Sequence, residues 1–382
     1  MDYASGDAEE GDMRYLSQTM MQATMHVMHK VITVVNATTT ALEAYSHTDY
    51  DEQPYHTSAL SGTAWVTELL TGHPERIRCE LGVHKHVFYV LINLLRQAGC
   101  RDSNHVPLEE QLAIFLYASV TGLSICHLGE RFQRSNETIS KYFKRILFAF
   151  SSPPIYTTYV RLPDADSPLA PEIVQNQKFF PYLANAIGAI DGTHIACHPF
   201  GEDRHAARDR NGNFSQNCLA ACSFNLCFTY MLSGWDGSAA DAHAIDFTIP
   251  EGKYYLADAE FGSCDGLLVP YPGHTFGVIK RRFRILLLPP EYVMGIQVHI
   301  PPALCLVHNV IRVHDPNEMM EYRNVLDEHL LTDTRSLADG PPTEQAHTCA
   351  DLRRDQIASE MWEDYNKERV QRGMQAIIES LL

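Results

Sequence analysis

The chain has 382 residues, 45% apolar and 20% charged, which is ordinary globular composition and long enough for two or three domains. Its formal charge of −17 excludes indiscriminate binding to nucleic acid but not local basic patches, because charge acts through its distribution. Ten cysteines without a Cys-x-x-Cys pair read as reduced thiols of an intracellular protein, not as a zinc module or a disulfide framework.

The N-terminus opens on Asp2, Asp7, Glu9, Glu10 and Asp12, the reverse of a signal peptide's basic start, and residues 1 to about 12 are expected to lack structure. From Arg14 to about Tyr45 the pattern is helical, with Met21, Met25, Met28 and Ile32 at steps of three or four forming a packing face. His26, His29 and Lys30 interrupt the apolar run from Met20 to Val35, so no membrane span is expected there. A soluble protein of the nucleus or cytoplasm follows as the expectation. After the polar break from Asp49 to Tyr55, residues 61 to about 97 read as helices.

Pro107 sits where a helix can begin, and Leu112, Phe115, Leu116 and Val120 follow at helical spacing to a closing Gly122. Ser124 can cap a short helix over 125–132, and Ser135 a longer one from Asn136 to about Phe148. Ile139, Phe143 and Ile146 make the buried stripe of that last helix. A short helix, a tight turn and a longer helix with a polar, basic outer face are the parts of a helix-turn-helix. Asn136, Ser140, Lys141 and Lys144 are the residues such a helix would offer to bases and phosphates; a plain three-helix bundle is the alternative.

Residues 151–185, rich in Pro, Ser and Asp at their start, read as a linker. Ala186-Ile-Gly-Ala-Ile-Asp191-Gly follows, an apolar strand running into an acid. An acid there is costly to bury unless it is paired or holds a metal; the bland alternative is an Asp-Gly turn. Two apolar runs separated by Asn225 predict a hairpin, residues 237–245 a short helix carrying Asp241, and Lys253-Tyr-Tyr-Leu-Ala-Asp258 another strand ending in an acid. Strand, hairpin, helix, strand is the order of an RNase H-like α/β core, a mixed sheet with flanking helices, here preceded by an all-α domain. In that fold acids on the first and fourth strands lie side by side and hold divalent cations through oxygen ligands.

Asp191-Gly-Thr-His194, Ser215-Gln-Asn217, Gly237-Ser-Ala-Ala-Asp241, Tyr254-Tyr-Leu-Ala-Asp258, the run from Phe276-Gly to Phe283 and Leu306-Val-His-Asn309 occur in sequence. Together with Gly72-His-Pro-Glu-Arg-Ile-Arg78 and the stretch 130–140 they resemble the PIF/Harbinger transposases and their domesticated nuclease relatives. The resemblance covers roughly residues 61–316. It implies a DDE-type endonuclease acting on transposon ends or derived DNA sites, using Mg²⁺ or Mn²⁺ in the nucleus, alongside a Myb-like partner protein. It makes Asp191 the first metal ligand, with Asp258 and Asp241 competing to be the second. Lys280, Arg281, Arg282 and Arg284, the densest positive run, would meet DNA phosphates.

The third acid is missing. In the family a glutamate precedes the Phe-Gly element by about one helical turn, and here that place holds Gly273. Pro270 and Pro272 discourage a helix in front of it. Loss of one carboxylate from such a trio predicts crippled or absent cleavage. The remaining readings are a helix over 303–313 containing His308-Asn309 as a satisfied core pair, and an acidic tail over 317–382 whose final helix, from about Leu352, could dock a partner. The expected organisation is therefore 1–60, a helical DNA-binding domain 61–150, a linker 151–185, a nuclease domain 186–316 truncated around 270–276, and the tail.

Overall fold

A computed structural model describes residues 6–46, 54–201, 204, 207–208, 212–235, 247–257, 266–268, 275–318 and 344–381. Residues 1–57 and 58–382 are two separate units. The first contains α1 (Gly6–Ser46), which starts well before the residue-14 boundary expected from apolar spacing. Asp7, Glu9, Glu10 and Asp12 fall in its opening turns.

In the second unit the helix signals are obeyed closely. α2 (Gly62–Thr71) is capped by Ser61, whose Oγ accepts from the Ala64 N–H. α3 (Pro74–Leu81) opens on its proline and ends at Gly82 in the left-handed region, and α4 (Lys85–Gln97) follows. α5 (Leu108–Thr121) ends at Gly122, also left-handed, and α6 (Ile125–Phe132) lies between Ser124 and Gln133. α7 (Asn136–Phe150) is capped by Ser135 and buries Ile139, Phe143 and Ile146 as its spacing requires, with Tyr142, Leu147 and Phe150 beside them. The tight turn between α6 and α7 is pinned from inside. Arg134 donates through Nε and Nη2 to the carboxylate of Glu110, whose side chain is fully buried on α5, and through Nη2 to the His105 carbonyl.

The stretch expected as a linker carries two short helices, α8 (Ile155–Tyr159) and α9 (Pro171–Val174), and buries Ile155, Val160 and Ile173. Apolar residues spaced among the prolines give it enough buried surface to stay on the body of the unit.

The sheet is mixed and five-stranded, ordered β3-β2-β1-β4-β5. β1 (Ala186–Ala196), β2 (Ser215–Cys222) and β3 (Phe228–Trp235) form an antiparallel meander. β4 (Tyr254–Ala257) runs parallel to β1 and β5 (Leu267–Leu268) parallel to β4. The predicted hairpin is β2–β3, its turn held by the Asn225 side-chain oxygen, which accepts from Ser223 Oγ and the Cys227 N–H. The predicted short helix over 237–245 lies outside the described residues.

The two faces of the sheet differ. Ile190, Leu219, Ala221, Tyr255, Ala257 and Leu267 build a small apolar layer on one. On the other, Ile195, Cys218, Ala220 and Phe228 join the same core as the helices α2 to α7. Three later elements complete that side: α10 (Thr275–Arg282), α11 (Met294–Gln297) and α12 (Ile300–His314). The segment Met294–His314 is long and apolar enough to cross a membrane, but most of it is buried inside the unit. Of the pair expected to be satisfied in the core, both are buried, but His308 keeps an Nδ1 with no hydrogen-bond partner among the described residues. Asn309 accepts from the Phe228 N–H and donates to the carbonyls of Phe228 and Tyr159, and His308 Nε2 donates to the Leu226 carbonyl. The last helix, α13 (Glu344–Leu381), sets Ile357 into the apolar cluster of Ala186, Tyr254 and Leu268 and Arg353 over the Tyr254 ring. Part of the tail helix therefore docks on this chain's own sheet.

Candidate functional site

Asp191 lies in the interior of β1, not in an Asp-Gly turn and not at the strand's end. Gly192 to Ala196 continue the strand because β2 keeps pairing with them, from Gly192↔Leu219 to Ala196↔Ser215. Among the described residues the β1–β4 pairing runs up to Ile190↔Ala257, the pair next to Asp191. Only 8% of its surface is exposed. Directly opposite is Ala220, a member of the helix-side core, so Asp191 projects with Thr193 and Ile195 toward the face on which α10 packs.

Lys280 on α10 reaches that face. Its ammonium donates to Thr193 Oγ1 at 2.7 Å and to the His194 carbonyl at 3.2 Å. His194, pointing the other way, has Nδ1 3.0 Å from Ser215 Oγ. Gln216, buried beside Ser215, ties in the 297 segment: its Nε2 donates to the Gln297 carbonyl, while the Gln297 side chain exchanges hydrogen bonds with both backbone groups of His198. These polar residues thus clamp β1, β2 and the 297 segment together.

Asp241 and Asp258 lie outside the described residues, as do Glu260, Asp265 and Gly273; Asp258 is the chain neighbour of Ala257. Among the described residues, no group of three or more His, Cys, Asp or Glu side chains is placed to hold a metal ion. The described donors on this face are one carboxylate and the hydroxyl of Thr193, with an ammonium beside them. That set does not by itself fit a divalent ion, which wants several oxygen ligands. A cation would need oxygens from Asp241 or Asp258.

The basic run divides along α10. Arg282 is a correction to the sequence reading: it is buried, with Nη1 and Nη2 donating to the two carboxylate oxygens of Glu318 at 3.1 and 2.8 Å, both side chains 1% exposed. Lys280 is half-buried where it meets β1. Two positions apart on a helix the side chains point to opposite sides, and each meets its own neighbour, β1 for Lys280 and Glu318 for Arg282, so neither is presented to a phosphate in this structure. Arg281 is half-buried and Arg284, in a 3-10 turn after the helix, is exposed.

On α7, Asn136 and Lys141 are exposed and Ser140 and Lys144 half-buried. Asn136 Nδ2 lies 3.4 Å from Cys126 Sγ on α6, and the Lys144 ammonium sits 5.8 Å from the centre of the Tyr292 ring. Glu318 and Thr193 are the partners that reading residue types along the chain did not find. Each is an ordinary residue made relevant only by an interaction across more than thirty positions.

Residues 57–152 match the model of a domain of unknown function, DUF8040. The matched stretch is the helical part, α2 to α7. No curated protein and no solved structure matches the chain.

Proposed function

We propose that this chain is a transposase-derived DDE-type endonuclease with an RNase H-like sheet, acting on DNA with impaired cleavage. The observation that carries the reading is the position of Asp191. It lies on the central strand of a sheet ordered β3-β2-β1-β4-β5, next to Ile190, which pairs with Ala257 of β4, and Asp258 follows Ala257 in the chain. The order and strand directions support the RNase H-like assignment, and the ordered motifs of the PIF/Harbinger family point the same way. Mg²⁺ or Mn²⁺ held by Asp191 with Asp258 and Asp241 would supply an activated water and neutralise charge on the scissile phosphate. Within the protein, Lys280 braces the strand beside Asp191 through Thr193, and Asn136, Ser140, Lys141 and Lys144 of α7, with Arg281 and Arg284, form the DNA-facing set. A nuclear location and a Myb-like partner belong to the same reading.

Gly273, where the family has its third acid, favours a second reading: a DNA-binding or adaptor protein that has given up catalysis. One experiment separates the two. Labelled duplex DNA is incubated with the protein in Mg²⁺ or Mn²⁺, and binding is titrated over a salt series. The enzyme reading expects weak metal-dependent cleavage abolished by Asp191→Ala. The binding reading expects no cleavage, and affinity that survives Asp191→Ala but falls in Lys141→Ala/Lys144→Ala. The salt slope of that double variant should be shallower by about 1 for each phosphate no longer neutralised. Absence of both cleavage and binding discards both.

A further inference from the structure

α1 is a helix that its own sequence does not favour. Its middle, Val31-Ile-Thr-Val-Val35 and Thr38-Thr-Thr40, is rich in β-branched residues, which are poor helix formers. A helix of 41 residues and about 60 Å made of such residues gains its stability from packing, not from propensity. Yet its large apolar side chains are 54–73% exposed.

Those side chains are not scattered. Met21, Met25, Met28, Ile32, Val35 and Leu42, with Thr39 between the last two, follow alternating steps of four and three residues, a seven-residue repeat. A second stripe, Met20, Val27, Val31 and Val34, adjoins it. An exact seven-residue stripe drifts about 20° per heptad around a straight helix and stays in register only when helices supercoil around one another. The threonines fit the same use. Thr24, Thr38 and Thr39 donate to the carbonyls of Met20, Val34 and Val35, so their hydroxyls are satisfied within the helix and their methyls are left for packing.

We propose that α1 is a self-association helix, packing through these two stripes against the α1 helices of other copies of this chain. The residues beside the stripes argue for a copy over a foreign partner. Gln22, His29 and Asn36 border the first stripe, Thr24 and Thr38 lie in line with Val31 within the second, and Ala23, Lys30 and Ala37 border its outer edge, so with Lys30 the one formal charge no charge pattern selects an oppositely charged helix. A polar side with Lys30 as its one basic residue between Met20 and Leu42, behind an acidic N-terminus, is the wrong chemistry for an anionic membrane surface. Area points the same way. Ten side chains with roughly 50–80 Å² each still exposed bring on the order of 500–800 Å² per helix, the scale of the about 800 Å² per partner in a stable interface. Covering both stripes takes more than one neighbour, so three or four chains are expected.

The test is the mass of the full-length protein by sedimentation at about 50 µM, with far-UV circular dichroism recorded alongside. Wild type is expected at three or four times the 43.1 kDa chain mass. Ile32→Lys/Val35→Lys is expected to sediment as a single chain with reduced helicity. Thr33→Lys/Ala37→Lys, the same charge added on the polar side, is expected to keep the wild-type mass. A wild-type protein of single-chain mass overturns the proposal, as does an assembly that the Ile32/Val35 variant leaves intact or the Thr33/Ala37 variant dissolves. Flotation of a single-chain wild-type protein with phosphatidylcholine vesicles would assign the stripes to a lipid surface instead.

Discussion

Arg282 and Glu318 meet as a bidentate pair from which water is excluded, and the energetics of such a pair are asymmetric. Replacing both ions by apolar groups can be nearly neutral, whereas removing one strands the other in a low-dielectric interior. Arg282→Met should therefore destabilise the protein by about 3–5 kcal/mol in urea titrations, and Arg282→Met/Glu318→Leu should recover most of that loss. His308 gives a pH dependence of definite sign. Burial first, then the positive charges of Arg282 and Arg312, push its imidazole down to about 3, against the hydrogen bond to the Leu226 carbonyl. The unfolded chain titrates near 6.5, so between those values the unfolded state binds the extra proton. The stabilisation from keeping His308 neutral is complete above about pH 6.5 and is lost at about 1.4 kcal/mol per pH unit as pH falls toward 3. Urea midpoints measured at pH 7, 6, 5 and 4 should fall more gently in His308→Gln than in wild type.

β1 carries the demands of three neighbours at once, and its sequence shows the compromise. Gly188 sits where β2 and β4 both press close: a Cβ there would lie 2.3 Å from the Cys222 carbonyl oxygen and 3.0 Å from a Tyr255 ring carbon. Neither backbone oxygen nor a fully buried ring can move aside cheaply. Gly188→Ala should cost more than about 2 kcal/mol, read as a fall in thermal midpoint, an effect larger than the ordinary gain from replacing glycine in a strand. The same crowding explains why the strand reads as Ala-Ile-Gly-Ala-Ile and not as a simple alternation. Further along the strand, Thr193 and His194 are attachment points for Lys280 and Ser215. Helix limits were legible residue by residue: Gly122, Ser124 and Ser135 stand at the helix ends expected of them, because such signals act within a few positions of themselves. The continuation of β1 past Asp191 was not legible, because an Asp-Gly pair favours a turn locally and is overruled by a strand that pairs with it from residues 215–222.

At the scale of the whole molecule, the helical part and the sheet share one apolar core. Phe143 of α7 stacks on Tyr292 with ring centres 5.0 Å apart, in the core that also takes Cys218 and Ala220 of β2 and Leu304 of α12. Unfolding of 58–382 should be shared accordingly. Phe143→Ala, at a cost of about 3–5 kcal/mol, should lower the urea concentration at which the buried thiol of Cys218 becomes reactive by as much as that for Cys100 on the helical side. Separate transitions for the two thiols would mean the core is divided. Sequence by itself determined the local elements, the α/β class, the acid on an apolar strand and the apolar face Met21, Met25, Met28 and Ile32 of α1, since propensity, capping and periodicity act over one or two turns of chain. Only the tertiary structure decided that residues 151–185 are packed, that Arg282 is spent on Glu318, that Lys280 braces β1, and that β1 continues past Asp191 in pairing with β2. The physical reason is that burial and ion pairing depend on which distant residues arrive, and neither a residue's type nor its spacing carries that information.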